Sequence, residues 1–126
     1  MPAYPASNQA KLLYENQQAI LWANELVPVG ALSVAVQLRR ERGQFYPNGC
    51  SIEVYFSASP GVFAVDVLVA DTDIASHYTL AGTINTVNAG FVARLELPNL
   101  FAKYILLRNT TAPNAATVAV TGQITR

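Results

Sequence analysis

FVARLELPNLFAKYILLRN, residues 91–109, contains two predicted strands joined by a turn at Pro98. Its first half alternates apolar and polar residues, which is the pattern of a half-buried strand. The inward positions predicted for this strand are Phe91, Ala93, Leu95 and Leu97. Residues 103–109 are apolar on both faces, which is typical of a central strand that is covered on each side. A strand, a turn and a second strand of this kind indicate an antiparallel sheet.

The same period of two recurs along the rest of the chain after about residue 29. Further strands are predicted over residues 31–38, 51–56, 62–70, 77–84 and 117–125, and turn residues such as the Asn48-Gly49 pair separate them. In 31–38 the inward positions are Leu32, Val34, Val36 and Leu38. No helical pattern lies between the strands, which argues against βαβ units. We therefore predict an all-β protein, a single antiparallel β-sandwich over residues 29–126 that is jelly-roll-like.

Residues 1–28 are predicted to form an N-terminal arm. They are rich in Asn, Gln and Ala, and the segment from Lys11 to Leu26 fits a helix or, around AILW, a first strand. Large apolar groups are costly to leave in water, so the arm must pack on its own sandwich or on a neighbouring subunit. The candidate partner-binding residues are Tyr4, Leu12, Leu13, Tyr14 and Trp22. As an arm outside the core, residues 1 to about 25 are expected to be removable without loss of the fold.

The composition favours a protein that works within an assembly. Charged residues make up only 13% of the 126-residue chain, and eight basic side chains balance eight acidic ones. Such a chain is poorly suited to nucleic acid, whose phosphates need Lys or Arg, and it lacks the net charge that keeps monomers apart. The sequence shows no signal-peptide pattern and no apolar stretch long enough to cross a bilayer. The single cysteine, Cys50, fits assembly in a reducing cytoplasm.

Candidate catalytic and metal-binding residues are few. His77 is the only histidine and stands at a strand edge, where a solvated residue is a better interpretation than a general base. Asp71 and Asp73 form an Asp-x-Asp pair, a weak candidate for part of a calcium site, but the Gly and Glu of an EF-hand loop do not follow. The alternative is a loop whose carboxylates accept backbone hydrogen bonds. We predict no cofactor and no catalytic residue.

Outward strand positions carry the remaining polar and aromatic candidates. Glu53, Asp66 and Glu96 would suit glycosidase chemistry only if two of them faced each other, and cross-strand pairing with arginine explains them more simply. The candidates for stacking on a sugar are Trp22, Tyr46, Tyr55 and Tyr78, of which Tyr55 has a clear outward position. The arginine-rich segment 38–44 suits a solvated turn or an interface better than nucleic acid.

Residues 45–125 resemble the small β-sandwich structural proteins that decorate or cement the capsids of tailed bacteriophages. The resemblance lies in SPGVFAVDVLVADTD (59–73), FVARLEL (91–97), KYILLRN (103–109) and the final Thr/Val-rich strand ATVAVTGQIT (116–125). It implies a virion protein that binds rather than catalyses, assembles in the host cytoplasm and forms homo-oligomers, often trimers. The implied partner is the major capsid protein, and no nucleic acid or membrane is involved.

Three functions are compatible with these features of the sequence. The first is a capsid decoration or cement protein that stabilises the phage head. The second is a carbohydrate-binding or adaptor module of a phage tail or baseplate, which would use Tyr55 and the loop that holds Asp71 and Asp73. The third, a hydrolase, would need His77 or a carboxylate pair to act alone. The first is the expectation that the sequence favours.

Overall fold

The computed structural model describes residues 11–13, 17–38, 49–85, 91–98, 102–111 and 118–126. These residues form nine strands, which are β1 (Lys11–Leu12), β2 (Gln18–Leu26), β3 (Val36–Gln37), β4 (Cys50–Phe56), β5 (Ala64–Ala70), β6 (Thr79–Ile84), β7 (Val92–Leu97), β8 (Tyr104–Thr111) and β9 (Ala119–Thr125). A short 3-10 helix spans Ala75–His77. In the described ranges no helix is long and apolar enough to cross a membrane.

The strands form two sheets that pack face to face. One sheet has four antiparallel strands in the order β2-β9-β4-β7. The other has the antiparallel strands β3-β8-β5-β6, and the two-residue β1 is added in parallel beside β3. This arrangement confirms the all-β class and the antiparallel sandwich that the sequence predicts.

The main hydrophobic core lies between the two sheets. It is built from the inward side chains of the central strands, which are Ile52 and Val54 of β4, Val65 and Val67 of β5, Ile105 and Leu107 of β8, and Val120 and Ile124 of β9. At one end the rings of Phe56 and Phe63 pack with their centroids 4.7 Å apart. The alternation of the strands thus fills one continuous apolar layer and turns the polar residues outward.

The opening stretch folds largely as predicted. β7 places Ala93, Leu95 and Leu97 against the core, and β8 buries Ile105 and Leu107 on one face and Leu106 on the other. The prediction for Phe91 is wrong, because this residue lies one position before β7 with a φ of 58° and 37% of its surface exposed. A left-handed backbone at this position breaks the alternation, so the side chain does not continue the inward row.

Residues 31–38 run beside β8, and a bulge interrupts their pairing with it. Leu32 bridges to Arg108 and Val36 pairs with Ile105, so three residues on this segment face two on β8. The hydroxyl of Ser33 accepts a hydrogen bond of 2.8 Å from the N–H of Leu107 and thereby satisfies a buried donor at the bulge. An extra residue of this kind reverses which side chains point inward.

The bulge explains where the predicted inward row of 31–38 is correct and where it is wrong. Val36 and Leu38 lie in the main core as predicted. Leu32 instead packs with Ala35 in a small cluster on the outer face of the five-stranded sheet, and Val34 is exposed. A one-residue shift of register exchanges the two faces of a strand, which is the physical reason for the difference.

Much of the predicted N-terminal arm lies within the sandwich. β2 pairs with β9 from Gln18 to Leu26 and forms an edge of the four-stranded sheet, with irregularities around Trp22. Leu21, Trp22 and Val27 belong to the main core. For residues 17–28 the structure therefore shows the alternative in which they pack on their own sandwich and AILW is a strand.

Candidate functional site

The outer surface of the four-stranded sheet carries polar side chains from three neighbouring strands. We call it the polar sheet face and define it by Ser51, Glu53 and Tyr55 of β4, Arg94 of β7, and Thr121 and Gln123 of β9. The register sets Glu53 opposite both Arg94 and Gln123, and Tyr55 opposite Thr121. Because these strands alternate strictly, their polar residues share one face while their partners fill the core.

Four side chains of the polar sheet face form one hydrogen-bond network. Arg94 donates to the Glu53 Oε2 atom at 2.8 Å, and the Tyr55 hydroxyl donates to the same oxygen at 3.1 Å. The Gln123 amide donates to the Tyr55 hydroxyl at 3.2 Å and reaches Glu53 Oε1 at 3.5 Å. The network fixes the conformation of Tyr55 and neutralises the carboxylate with a guanidinium.

The network also sets the protonation states of its members. The hydrogen bond from Arg94 lowers the pKa of the Glu53 carboxyl below its ordinary value of 4.5, and the bonds from Tyr55 and Gln123 act in the same direction. Burial, followed by the hydrogen bond to Glu53, raises the pKa of the Tyr55 phenol above its ordinary value. Near neutral pH the face therefore presents a carboxylate, a guanidinium and a protonated phenol.

Substitution of Arg94 by methionine is expected to raise the pKa of Glu53 towards its ordinary value, since the largest cause of the lowering is removed. A carboxyl whose pKa is lowered by folding adds stability above its unfolded pKa and loses it as the pH falls through the folded pKa. The difference in the free energy of unfolding between the intact protein and Arg94→Met should therefore become smaller below about pH 4. Carboxyl-carbon NMR titration measures the pKa directly.

The matched control is Arg108→Met. Arg108 pairs with Asp66 at 2.9 Å on the opposite sheet, so this change removes an equivalent ion pair without touching Glu53. An unchanged Glu53 pKa in Arg94→Met, or an equal rise in Arg108→Met, would contradict the electrostatic assignment.

A second surface lies at the edge of the sandwich, between β2 and residues 32–34. We call it the edge groove. Its volume is about 290 Å³, and it is lined by Ile20, Leu21, Trp22, Ala23, Glu25, Leu32, Ser33 and Val34. Leu21 and Trp22 are buried at its base, whereas Ile20 and Val34 are 49% and 45% exposed. The lining residues are thus mostly apolar, but the exposed surface of the groove is about equally polar and apolar, and Glu25 is its acidic residue.

Exposed aliphatic side chains continue from the edge groove along the same edge of the molecule. Leu26, the last residue of β2, is 54% exposed, and Val29 in the following turn is 63% exposed. Single exposed aliphatic residues are common, but three along one edge strand and its turn, with Val34 on the neighbouring segment, form a surface that association would bury.

The predicted partner-binding residues have different positions. Leu13 is buried in the chain's own core, and Trp22, which is also a core residue, contributes only to the base of the edge groove. Leu12 belongs to β1, for which the structure describes only the backbone pairing with Gln37. Tyr4 and Tyr14 lie outside the described residues. The exposed residues of the same region are Ile20, Leu26, Val29 and Val34 instead.

The predicted catalytic and metal candidates lie in the connection between β5 and β6. His77 is exposed at the end of the 3-10 helix, where its backbone N–H donates to the carbonyl of Ile74. Asp73 accepts a hydrogen bond of 2.8 Å from the hydroxyl of Tyr78, and Asp71 is exposed. The described part of the chain brings no group of three His, Cys, Asp or Glu side chains together as a metal site would require.

Of the three carboxylates considered for glycosidase chemistry, Glu53 and Glu96 lie on the outer face of the four-stranded sheet, whereas Asp66 does not. Glu53 is on the outer face of the four-stranded sheet, and Asp66 is on the outer face of the other sheet, where Arg108 and Thr83 bind it. The two are therefore separated by the core and cannot act on one bond. The predicted cross-strand pairing with arginine is confirmed for both residues.

Cys50 is buried at the start of β4. Burial raises the pKa of its thiol to about 11, against a smaller opposing effect of Arg126. The thiol is consequently protonated near neutral pH and is not a ready nucleophile.

Of the residues that line the edge groove, the sequence predicts only Trp22 as a partner-binding residue, and it does not identify Gln123, Ile20 or Val34 as site residues. Gln123 joins the polar network only because β9 pairs with β4, and the order of strands is not encoded in the pattern of any one strand. The available signal is the alternation of TGQIT, which predicts that Gln123 is outward without saying what it faces. Ile20 could be found only by aligning its strand correctly with the core.

Comparison with known proteins adds no family to these observations. No protein-family model matches the chain, and no significant match is found among curated proteins or solved structures.

Proposed function

We propose that the chain is a structural protein of a tailed-bacteriophage virion, a capsid decoration or cement protein that binds the major capsid protein and stabilises the head. The observation that carries this proposal is the edge groove, together with the exposed aliphatic residues that continue from it. An apolar edge on a rigid sandwich suits a protein that binds neighbours, because its burial on association is favourable and its conformation changes little.

The chemistry of the edge groove defines the partner segment that it would take. Ile20 and Val34 flank an apolar base, and Glu25 is the acidic residue of the lining. An extended apolar segment of the major capsid protein, with a basic residue near one end, would complement both features. The contact would bury the side chains that are otherwise exposed along β2.

The strand order supports the jelly-roll topology as part of this proposal. Successive strands from β2 to β5 alternate between the sheets, and each sheet contains four of the eight antiparallel strands. Two four-stranded sheets crossed by such connections are characteristic of jelly rolls, which recur in capsid proteins. The chain would assemble in the host cytoplasm, reside in the virion and act without catalysis.

We also propose that the chain forms homo-oligomers. The eight acidic and eight basic side chains give no net charge to oppose association. We favour a trimer, seated where capsid subunits meet. Mass measurement in solution tests this point separately from capsid binding.

Co-sedimentation with capsids tests the proposed function. The particles are those of the phage that encodes the chain, and they are first stripped of this protein. They should bind the intact protein when it is added back, and they should bind the double variant Ile20→Ser, Val34→Ser at least tenfold more weakly. The matched control is Val62→Ser, Leu80→Ser, because these residues are 74% and 60% exposed away from β2. Equal binding of both double variants would rule out the edge groove, and no binding of the intact protein would rule out the function.

A further inference from the structure

We propose that the polar sheet face is a binding site for a neutral oligosaccharide. This inference goes beyond capsid binding and is argued from the outer face of β4, β7 and β9, which adjoins the edge groove where Ile20 stands opposite Gln123. The argument rests on the conformation of one aromatic ring, on the polar groups around it and on the charge of the face.

Tyr55 provides a flat apolar surface held by polar contacts at its tip. Its hydroxyl bonds to Glu53, two residues earlier on the same face, and to Gln123, which lies opposite Glu53. Since both partners lie on the same side of Tyr55 along the strand, the ring is drawn along the sheet instead of extending away from it. Tyr55 is half-buried in this position, and the exposed part of its ring is available to stack on the apolar face of a sugar.

The groups around the ring are donors and acceptors of the kind that bind sugar hydroxyls. Ser51 and Thr121 place half-buried hydroxyls on either side of the network, and Arg94, Glu53 and Gln123 supply further donors and acceptors. Three strands span about 10 Å, and the positions from residue 51 to 55 span about 13 Å. This area suits a short oligosaccharide, and the fixed network reduces the entropy that binding would otherwise cost.

The charge of the face decides between classes of ligand. Arg94 contributes one positive charge and Glu53 one negative charge, so their sum is zero, and Glu96 at the margin brings the total to minus one. A polyphosphate such as nucleic acid would meet no excess of positive charge here. The centres of protein interfaces are depleted in charged residues, whereas an ion pair lies at the centre of this face. A neutral polyhydroxylated ligand satisfies both constraints.

A glycan array that carries neutral, uronic-acid and sulfated oligosaccharides provides the first test, with NMR titration of the strongest neutral ligand as the second. We expect binding to neutral glycans and chemical-shift changes confined to β4, β7 and β9. Tyr55→Ala should lower the affinity about tenfold because it removes the stacking surface and part of the network. Tyr55→Phe, which keeps the ring, should retain most of the affinity.

Tyr78→Ala is the matched control, because Tyr78 also donates to a carboxylate but lies on the other sheet. It should leave glycan affinity unchanged, and circular dichroism of each variant checks that the fold persists. Binding to no glycan, preference for sulfated over neutral glycans, or equal effects of Tyr55→Ala and Tyr78→Ala would each overturn the proposal. Ile20 and Val34 are unchanged in these variants. A negative result in the glycan experiments would therefore not contradict the proposed capsid binding.

Discussion

Removal of residues 1–25 is expected to abolish folding of the chain. The deletion removes nearly all of β2 and with it three buried side chains, Leu13, Leu21 and Trp22. Loss of each large buried side chain costs about 2–5 kcal/mol, and a domain of this size has a total stability of about 5–15 kcal/mol. The deletion also leaves the backbone of β9 unpaired along one edge. The combined loss matches or exceeds the stability of the whole fold.

Circular dichroism and thermal unfolding of the truncated chain measure this effect. We expect no cooperative transition at 25 °C or above, in contrast to the intact protein. Deletion of residues 1–10 is the matched control, because it leaves every described strand in place, and it should keep a cooperative transition. A truncation at residue 25 that still unfolds cooperatively, with an unchanged β-sheet spectrum, would contradict the assignment of β2 to the core.

This prediction reverses what the sequence suggests about the N-terminal region. The chain around Trp22 has no regular period, because β2 pairs with β9 through two irregularities and Asn24 adopts a positive φ of 48°. Pattern analysis recognises a strand by its alternation, and bulges remove that signal. The sequence therefore predicts an arm over residues 1–28 and leaves open whether it packs on its own sandwich or on a neighbouring subunit.

Where the strands are regular, the sequence predicts the structure well. In β4, Ile52, Val54 and Phe56 are inward as expected, because strict alternation over seven residues leaves only one way to bury the apolar face. The two-sided burial of β8 follows from its continuous apolar run. These elements determine the sandwich, but they leave the order of strands open.

The candidate sites could be predicted only in part for the same reason. The outward positions of Glu53, Tyr55 and Arg94 follow from alternation within each strand. Their assembly into one network with Gln123 follows from the pairing of β4 with β7 and β9, which links residues up to 70 positions apart. A single sequence contains no direct record of such contacts, so the polar sheet face becomes visible only in three dimensions.

Replacement of Trp22 by alanine should lower the free energy of unfolding by about 3–5 kcal/mol, the range for large aromatic residues in protein cores. Trp22 is 2% exposed, and its Cε3 atom lies 3.3 Å from the place where a Cβ atom on Gly122 would stand. Gly122 has no side chain that could move into the space left by the indole, so the cavity should persist. Chemical denaturation followed by circular dichroism measures the change, since the variant lacks the single tryptophan.

The neighbouring substitution Ile20→Ala separates a core role of Trp22 from a partner-binding role. Ile20 lies two positions earlier on β2 and is 49% exposed, so its truncation should cost about 1 kcal/mol or less. A large loss of stability for Trp22→Ala together with a small loss for Ile20→Ala would identify Trp22 as a core residue that stabilises the packing of β2 on the sandwich. If both variants lost the same small amount, the indole would not be in the core and a partner contact would again be the better explanation. On the expected result, the proposed capsid binding should depend on Ile20 in a fully folded protein, whereas an effect of Trp22→Ala on binding would combine the weakened fold with a change at the base of the edge groove.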